Sequence, residues 1–361
     1  MRRLFQVFVF LFLPLFALGQ NAASPQLQPR PVTPSVPAPA PDRKIILDVK
    51  VTEKSGAAVR GLQKQDFTML DDKQSQNIVS FQAVDGEASA PSDPPVEVMM
   101  VVDAVNASPQ TVSYERGEVK KYLLRNGGKL EQPVSLVVFT DGGTKIQDGS
   151  SRDGNALAAL YDQYETGVRS INRSQGYYGA AERFDLSLKT LTEIAQGARG
   201  RPGRKLVIWI SPGWPLLTGP DTELSHKDAH QIFDSIVSFS VLLRQARITL
   251  YNVDPLGVAD AAEIRTSYYE EFLKGVKSPS RAVPANLSLQ VLAVQSGGRV
   301  LNSSNDLTAE IAECAADADA FYVLSFNANP ADQADEYHSV VVKVDRPGTT
   351  VRTRDGYYAG P

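Results

Sequence analysis

Between Ile45 and Glu53 the sequence IILDVKVTE alternates, Leu47, Val49 and Val51 against Asp48, Lys50 and Thr52, which is the period of a strand with one buried face. A turn at Ser55-Gly56 follows. Phe67–Leu70 and Ile78–Val84 read as two more strands, separated by the charged turn Asp71-Asp72-Lys73. The composition EASAPSDPP at 87–95 marks a boundary, after which strands alternate with helices. Val96–Val102 is a buried parallel strand ending at Asp103. A helix capped by Ser108-Pro109 runs to Asn126, where Gly127-Gly128 stops it. Next come a strand at Val134–Thr140, a hairpin partner at Thr144–Gln147 and a helix over 154–164. Phe184, Leu188, Leu191 and Ala195 give a helix over 182–196, and Arg204–Ile210 is another core strand.

The helix from Ser225 to Arg244 carries Ile232, Ile236, Phe239 and Leu243 on one face and leads into a strand at Ile248–Asp254. Residues 261–284 lack strong periodicity and read as an inserted surface segment. Leu287–Gln295, Arg299–Leu301 and Leu307–Ala320 supply helix, short strand and helix. The tail returns to strands at Phe321–Phe326, Ser339–Val344 and Val351–Arg354, with a turn at Pro347-Gly348. Neither flanking group of strands is long enough to bury a core alone, so the two are expected to combine. The expected fold is α/β: a doubly wound, mostly parallel sheet (95–320) inserted in a small β-sandwich built from residues 44–88 and 321–361.

Composition adds a compartment. Arg2 and Arg3 precede an apolar run from Leu4 to Leu18, and Ala17-Leu18-Gly19 offers small residues for cleavage, so 1–19 reads as a signal peptide. At about 15 residues the run is shorter than the ~20 needed to span hydrocarbon, and the mature chain is expected to be periplasmic or secreted rather than membrane-integral. Residues 20–43 form a Pro-rich linker. With 37 basic and 41 acidic residues and a net charge of −4, nothing points to nucleic acid. The single cysteine, Cys314, excludes an intrachain disulfide and the acylated cysteine of a lipoprotein; in an Ala-rich helix it reads as a small core residue.

Ligands of an open parallel sheet bind beyond the carboxyl ends of its strands. Three segments converge there: Asp103 to Ser108, Thr140-Asp141-Gly142, and Ser211 to Pro215 with Trp214. The strand ending in Asp103, FTDGG at 139–143, KLVIWISPGWP at 205–215 and ITLYNVDP at 248–255 together resemble a von Willebrand factor type A domain. The flanks VTEKSGAAVRGLQKQDFTMLDD and YVLSFN…HSVVVKVDRPGTTVRTRDGYYA resemble, more closely, the "VWFA-related" family of Acidobacteria. That resemblance covers nearly all of the chain from Ile45 onward and implies a metal-ion-dependent adhesion site, Asp-x-Ser-x-Ser with a Thr and a second Asp, suited to Mg²⁺.

Carried over by position, only Asp103 matches. The two Ser positions hold Val105 and Ala107, the second Asp is Pro212 or Gly213, and Gly179-Ala180-Ala181 stands where Gly-Gly-Thr is expected. The site is expected to be degenerate, without a cofactor; if any Mg²⁺ binds, Asp103 and Ser108 are its candidates. Asp103 otherwise reads as a carboxylate accepting hydrogen bonds from its loop, Ser108 as a helix cap, Asn106 as either a loop-orienting or a ligand-reading residue, and Asp141 as a turn residue. Trp214 is either an interface anchor or a lid on the core, and Tyr177-Tyr178 reads as a loop aromatic pair. Tyr268 to Glu271 either form a partner surface or cover the domain edge.

His226 and His230 sit i, i+4 on one helical face, but a third ligand and a metalloprotease Glu are missing from the pattern; His338 stands isolated at a strand edge. No phosphate loop, nucleophile elbow or Cys-rich cluster occurs. The function expected is an exported, non-catalytic protein-binding or adhesion module, with an unknown protein or envelope partner. Two alternatives stand beside it: an envelope hydrolase pairing Asp103 with His226 or His230, and a structural scaffold for envelope assembly.

Overall fold

A computed structural model describes residues 43–84, 96–164, 176–217, 224–257, 268–329 and 331–360. The expected leader, the linker up to residue 42, the boundary at 87–95 and residues 261–267 lie outside the described residues. The first strands are β1 (Lys44–Glu53), β2 (Phe67–Asp71), β3 (Gln74–Gln76) and β4 (Ser80–Val84). They are followed by β5 (Val96–Asp103), α1 (Pro109–Leu124), β6 (Lys129–Thr140), β7 (Gly143–Ile146), β8 (Ser151–Asp153), α2 (Gly154–Tyr164) and α3 (Tyr177–Arg199). Then come β9 (Arg204–Ile210), α4 (His226–Gln245), β10 (Ile248–Val253), α5 (Leu289–Gln295), β11 (Val300–Leu301) and α6 (Leu307–Ala315). The chain closes with β12 (Phe321–Asn327), β13 (Glu336–Val344), β14 (Thr349–Arg352) and β15 (Gly356–Ala359).

The central sheet runs β11-β10-β9-β5-β6-β7, parallel from β11 to β6, with β7 and β8 pairing antiparallel to β6. It is therefore a mixed sheet. Its strands read as continuous apolar runs because both faces are covered. Met99, Val101, Val137, Phe139, Val207 and Trp209 turn to one face, packed with residues of α3, α4 and α5. Val98, Met100, Val102, Leu136, Val138 and Ile208 turn to the other, packed with residues of α1, α2 and α6. The period-2 alternation thus divides one strand between two cores.

Two antiparallel sheets flank this layer, β14-β1-β12-β4 and β15-β13-β2-β3. Each mixes strands from the two ends of the chain: β1 lies between β12 and β14, and β13 pairs β2. Leu47, Val49, Phe67, Met69, Leu324, Phe326, Val340 and Val342 share one core between them.

Several local expectations are corrected. Lys50, placed by alternation on a solvent face, is 3% exposed, because its ammonium donates to the carbonyls of Ala316 and Asp319. The 261–284 segment is not a surface insertion where it is described, since Val276 and Ala282 enter the core beside α4 and α5 and the Tyr358 hydroxyl donates to the Val276 carbonyl at 3.0 Å. Tyr177 and Tyr178 lie not in a loop but in the first turn of α3, exposed and edge-to-face at 6.0 Å. His338 is neither isolated nor at an edge. It is buried on the inner strand β13, its Nδ1 is 3.0 Å from Asp71 Oδ1, and its ring stacks on Tyr357, whose hydroxyl donates to Asp71 Oδ2 at 2.8 Å. Cys314 is buried, as expected of a small core residue.

Candidate functional site

The carboxyl ends of β5, β6, β9 and β10 form the edge on which the sequence placed its candidates. At the end of β5 the chain leaves the sheet, and Asp103 turns inward and is fully buried. Its Oδ1 accepts from the backbone N–H groups of Val105 and Asn106, both at 2.9 Å. Its Oδ2 accepts from Asn106 Nδ2 at 2.8 Å and from the indole Nε1 of Trp209 at 2.9 Å. Burial pushes the Asp103 carboxyl upward from its usual range, against the opposing pull of the donors from Asn106, Trp209 and Val105. Both oxygens are occupied by the protein itself.

Asn106 is the bridge of this arrangement. Its Nδ2 donates to Asp103 and also to Ser187 Oγ on α3 at 2.9 Å, and that hydroxyl donates in turn to the Arg183 carbonyl at 2.8 Å. Asn106 Nδ2 thus ties the loop to α3, while its Oδ1 is buried without a hydrogen-bond partner among the described residues. Ser108 caps α1: its Oγ accepts from Thr111 N at 3.1 Å and pairs with Thr111 Oγ1 at 2.7 Å. A cap of this kind is worth ~1 kcal/mol. Asp141 lies in the tight turn between β6 and β7, which Thr140 closes by donating from Oγ1 to the Gly143 carbonyl at 3.1 Å.

Trp214 is 3% exposed and stands edge-to-face on Trp209, ring centres 5.1 Å apart. It is a lid on the core rather than an exposed anchor. The preceding Gly213 has φ +100°, and a Cβ there would fall 2.1 Å from Gln290 Nε2, so this turn requires glycine. Below it, the Ser211 carbonyl accepts from Asn252 Nδ2 at 2.8 Å.

This donor set does not fit a hard divalent cation. Val105 and Ala107 bring no side-chain oxygen, the Ser108 hydroxyl is committed to the helix, and Gly179-Ala180-Ala181 lie in the first turns of α3. Among the described residues no group of three or more His, Cys, Asp or Glu side chains is arranged to hold a metal. His226 and His230 are exposed, with ring centres 4.4 Å apart in the first two turns of α4, and neither is among the hydrogen-bond partners of Asp103. The Asp–His pairing required by a hydrolase is not formed.

Three residues of this edge escaped the sequence reading: Trp209, Ser187 and Glu115. Trp209 carried a usable signal, because an indole N–H inside an apolar strand needs an acceptor. Ser187 and Glu115 occupy ordinary helical positions and carried none. Glu115 on α1 is fully buried, and neither of its carboxylate oxygens has a hydrogen-bond partner among the described residues.

No family model matches the chain, and no curated relative matches it. Solved structures of related outline include the pilus adhesin SpaC from Lactobacillus rhamnosus GG, 10% identical over 84% of this chain and 49% of that one, TM-score 0.36. Others are the PilB minor pilin from Streptococcus sanguinis, 9% identical over 64% of this chain and 63% of that one, TM-score 0.35, and the SpRpn10 VWA domain, 8% identical over 60% and 92%, TM-score 0.28. The chain spans about half the length of the adhesin and 44% of the human COPII-coat protein Sec24c, which it also matches. Among the described residues no helix is long and apolar enough to cross a membrane. What stands is an α/β chain with a central mixed sheet and flanking antiparallel sheets.

Proposed function

We propose that this chain is an exported, non-catalytic protein-binding module with a von Willebrand A-like core and a degenerate adhesion site, acting in the periplasm or outside the cell. The observation that carries the reading is the closure of Asp103. Four internal donors consume both carboxylate oxygens, leaving none for a cation, for proton transfer or for nucleophilic attack. A carboxylate so held is a fixed part of a loop, and the loop presents its neighbours, Ala107, Ser108 and the turn at Asp141-Gly142, to whatever docks on the edge. The leader and the Pro-rich spacer support export and a tethered, outward-held module. His226 and His230 are not among the hydrogen-bond partners of Asp103, so the pairing that the hydrolase alternative needs at this edge is not formed.

In vivo cross-linking of the envelope, read by mass spectrometry, tests this with Gly142→Arg. Gly142 is exposed, and a Cβ there meets only Thr140 Oγ1 at 3.7 Å, so the variant is expected to fold normally and to block docking by bulk and charge. The wild type is expected to yield a defined protein adduct that Gly142→Arg loses while its circular dichroism is unchanged. An adduct that survives in the variant, or none in the wild type, refutes the proposal.

A further inference from the structure

Glu115 is a carboxylate near this edge that the proposed function does not use. It lies on the core face of α1 between Val112 and Val119, is fully buried, and offers both oxygens to nothing among the described residues. The charged groups acting on it are the carboxylates of Asp103, at the end of β5, and Asp254, after β10. From α2 the Tyr161 hydroxyl, itself buried and without a partner among the described residues, lies beside it, with the Arg116 guanidinium over the Tyr161 ring at 5.9 Å. From α6, Glu310 adds a buried carboxylate that acts on the same site through Asp254, with Glu313 behind it. The other carboxylates are held: Asp103 by four donors, Asp254 by the Leu256 N–H at 2.9 Å, and Glu310 by the Ser304 N–H at 3.2 Å. Glu115 alone has none.

An ionised carboxylate in such a place is expelled into water or neutralised by a proton. Expulsion means displacing α1, and α1 is tied to the edge through its Ser108 cap and the Asn106–Asp103–Trp209 chain just before it. We propose that Glu115 makes α1 a proton-operated latch: with Glu115 protonated the helix stays seated and the Asp103 loop is held, and with Glu115 ionised the helix lifts and the loop is released. The direction agrees with the surroundings, since burial first, and then the charges of Asp103 and Asp254, hold the Glu115 carboxyl well above the usual carboxylate range. A carboxyl whose folded value is raised contributes less stability as pH climbs above its unfolded value. The latch therefore opens toward alkaline pH.

The molecule carries its own reporter. Its only two tryptophans, Trp209 and Trp214, both stand at this edge, and Trp209 touches Asp103 directly. Intrinsic emission and thermal unfolding of the full mature chain between pH 5 and 9 are compared for wild type, Glu115→Gln, Glu115→Leu and Glu310→Gln. The wild-type emission is expected to move reversibly to the red as pH rises, with helix content by circular dichroism largely retained. Glu115→Gln removes that transition. Its unfolding midpoint matches wild type near pH 5 and exceeds it by at least about 2 °C at pH 9, the equivalent of one pKa unit in a chain of this size. Wild type and Glu115→Gln following the same curve refutes the latch, as does loss of the transition in Glu310→Gln instead. If Glu115→Gln does not fold, Glu115→Leu serves the same comparison. Failure of both neutral variants to fold across the range also overturns the proposal, because a neutral residue is what the closed latch requires.

Discussion

Replacing Asp317 by Asn removes one charge from a junction that joins the flanking sheets to the central one. Asp317 lies just after α6, its side chain 6% exposed. Arg352 of β14 donates through Nη2 to both its oxygens, at 2.8 and 2.7 Å, and the Tyr251 hydroxyl of β10 donates to Oδ2 at 2.8 Å. Arg299 stands 4.0 Å away, Arg204 of β9 donates to the Asp317 backbone carbonyl at 3.1 Å, and Lys50 of β1 closes the ring of cations. The Arg352 side chain is 18% exposed, so solvent screens the pair little. Asn keeps the size and one acceptor for Tyr251, but it leaves Arg352 and Lys50 in the junction without their counter-charge. Breaking a buried pair on one side costs ~3–5 kcal/mol, and we expect a loss near ~4 kcal/mol, equivalent to a fall of about 6 °C in unfolding midpoint for a chain of this length. Burial works to raise the Asp317 carboxyl, but Arg352, Arg299 and Lys50 outweigh it and hold it below its usual value. A lowered folded value gives stability that is present above the unfolded value near ~3.9 and is lost as pH falls through the folded one. Urea unfolding followed by circular dichroism should therefore show a gap between wild type and Asp317→Asn that is full at pH 7 and narrows in acid. A gap under ~1 kcal/mol at pH 7, or one that stays constant into acid, refutes the reasoning.

Two further outcomes follow from the geometry of the edge and the packing of the sheet. Adding 10 mM Mg²⁺ or Mn²⁺ should leave the unfolding midpoint unchanged, whereas a site with millimolar affinity stabilises by ~1.4 kcal/mol at about ten times its dissociation constant; a saturable shift that Asp103→Asn abolishes would show that the site holds a cation. Gly298→Ala should destabilise by ~3 kcal/mol or more, or fail to fold, because the new Cβ would fall 1.8 Å from the Leu250 carbonyl oxygen in β10, a backbone atom that cannot step aside; thermal unfolding checks it, and a variant within ~0.5 kcal/mol of wild type would contradict the close approach.

The sequence made the elements of the central sheet legible because each is dictated locally: apolar runs for β5, β6, β9 and β10, a Ser-Pro cap for α1, and an amphipathic face for α4. The short edge strands β3, β8 and β15 were missed, since QSQ, SRD and GYYA carry no alternation long enough to read. The polar junctions were missed for a different reason. Lys50, Asp317 and Arg352 are spread along the chain, and each looks like an ordinary surface charge until the fold brings them together. The Asp71–His338–Tyr357 contact is the same case: His338 and Tyr357 face one another only through the β13–β15 register. At the edge, the hydrogen bonds that Asp103 accepts from its loop and the cap that Ser108 gives α1 were legible because loop carboxylates and caps follow local rules. Trp214 was left between two roles that only burial distinguishes, and it is buried.

The two carboxylates of the edge explain each other. Asp103 and Glu115 share one low-dielectric region, where two unscreened negative charges repel strongly. The chain meets this by giving four donors to Asp103 and none to Glu115, so the first accommodates a charge and the second is driven to hold a proton. Of this pair, then, only Asp103 carries a negative charge, and that charge is turned inward onto Trp209 and Asn106. An edge of this kind has little to offer a divalent cation, which seeks several anionic or hydroxyl oxygens pointing outward. Under the proposed function, recognition there rests on the shape of the β6–β7 turn and on hydrogen bonds from the α1 cap, contacts that depend weakly on salt.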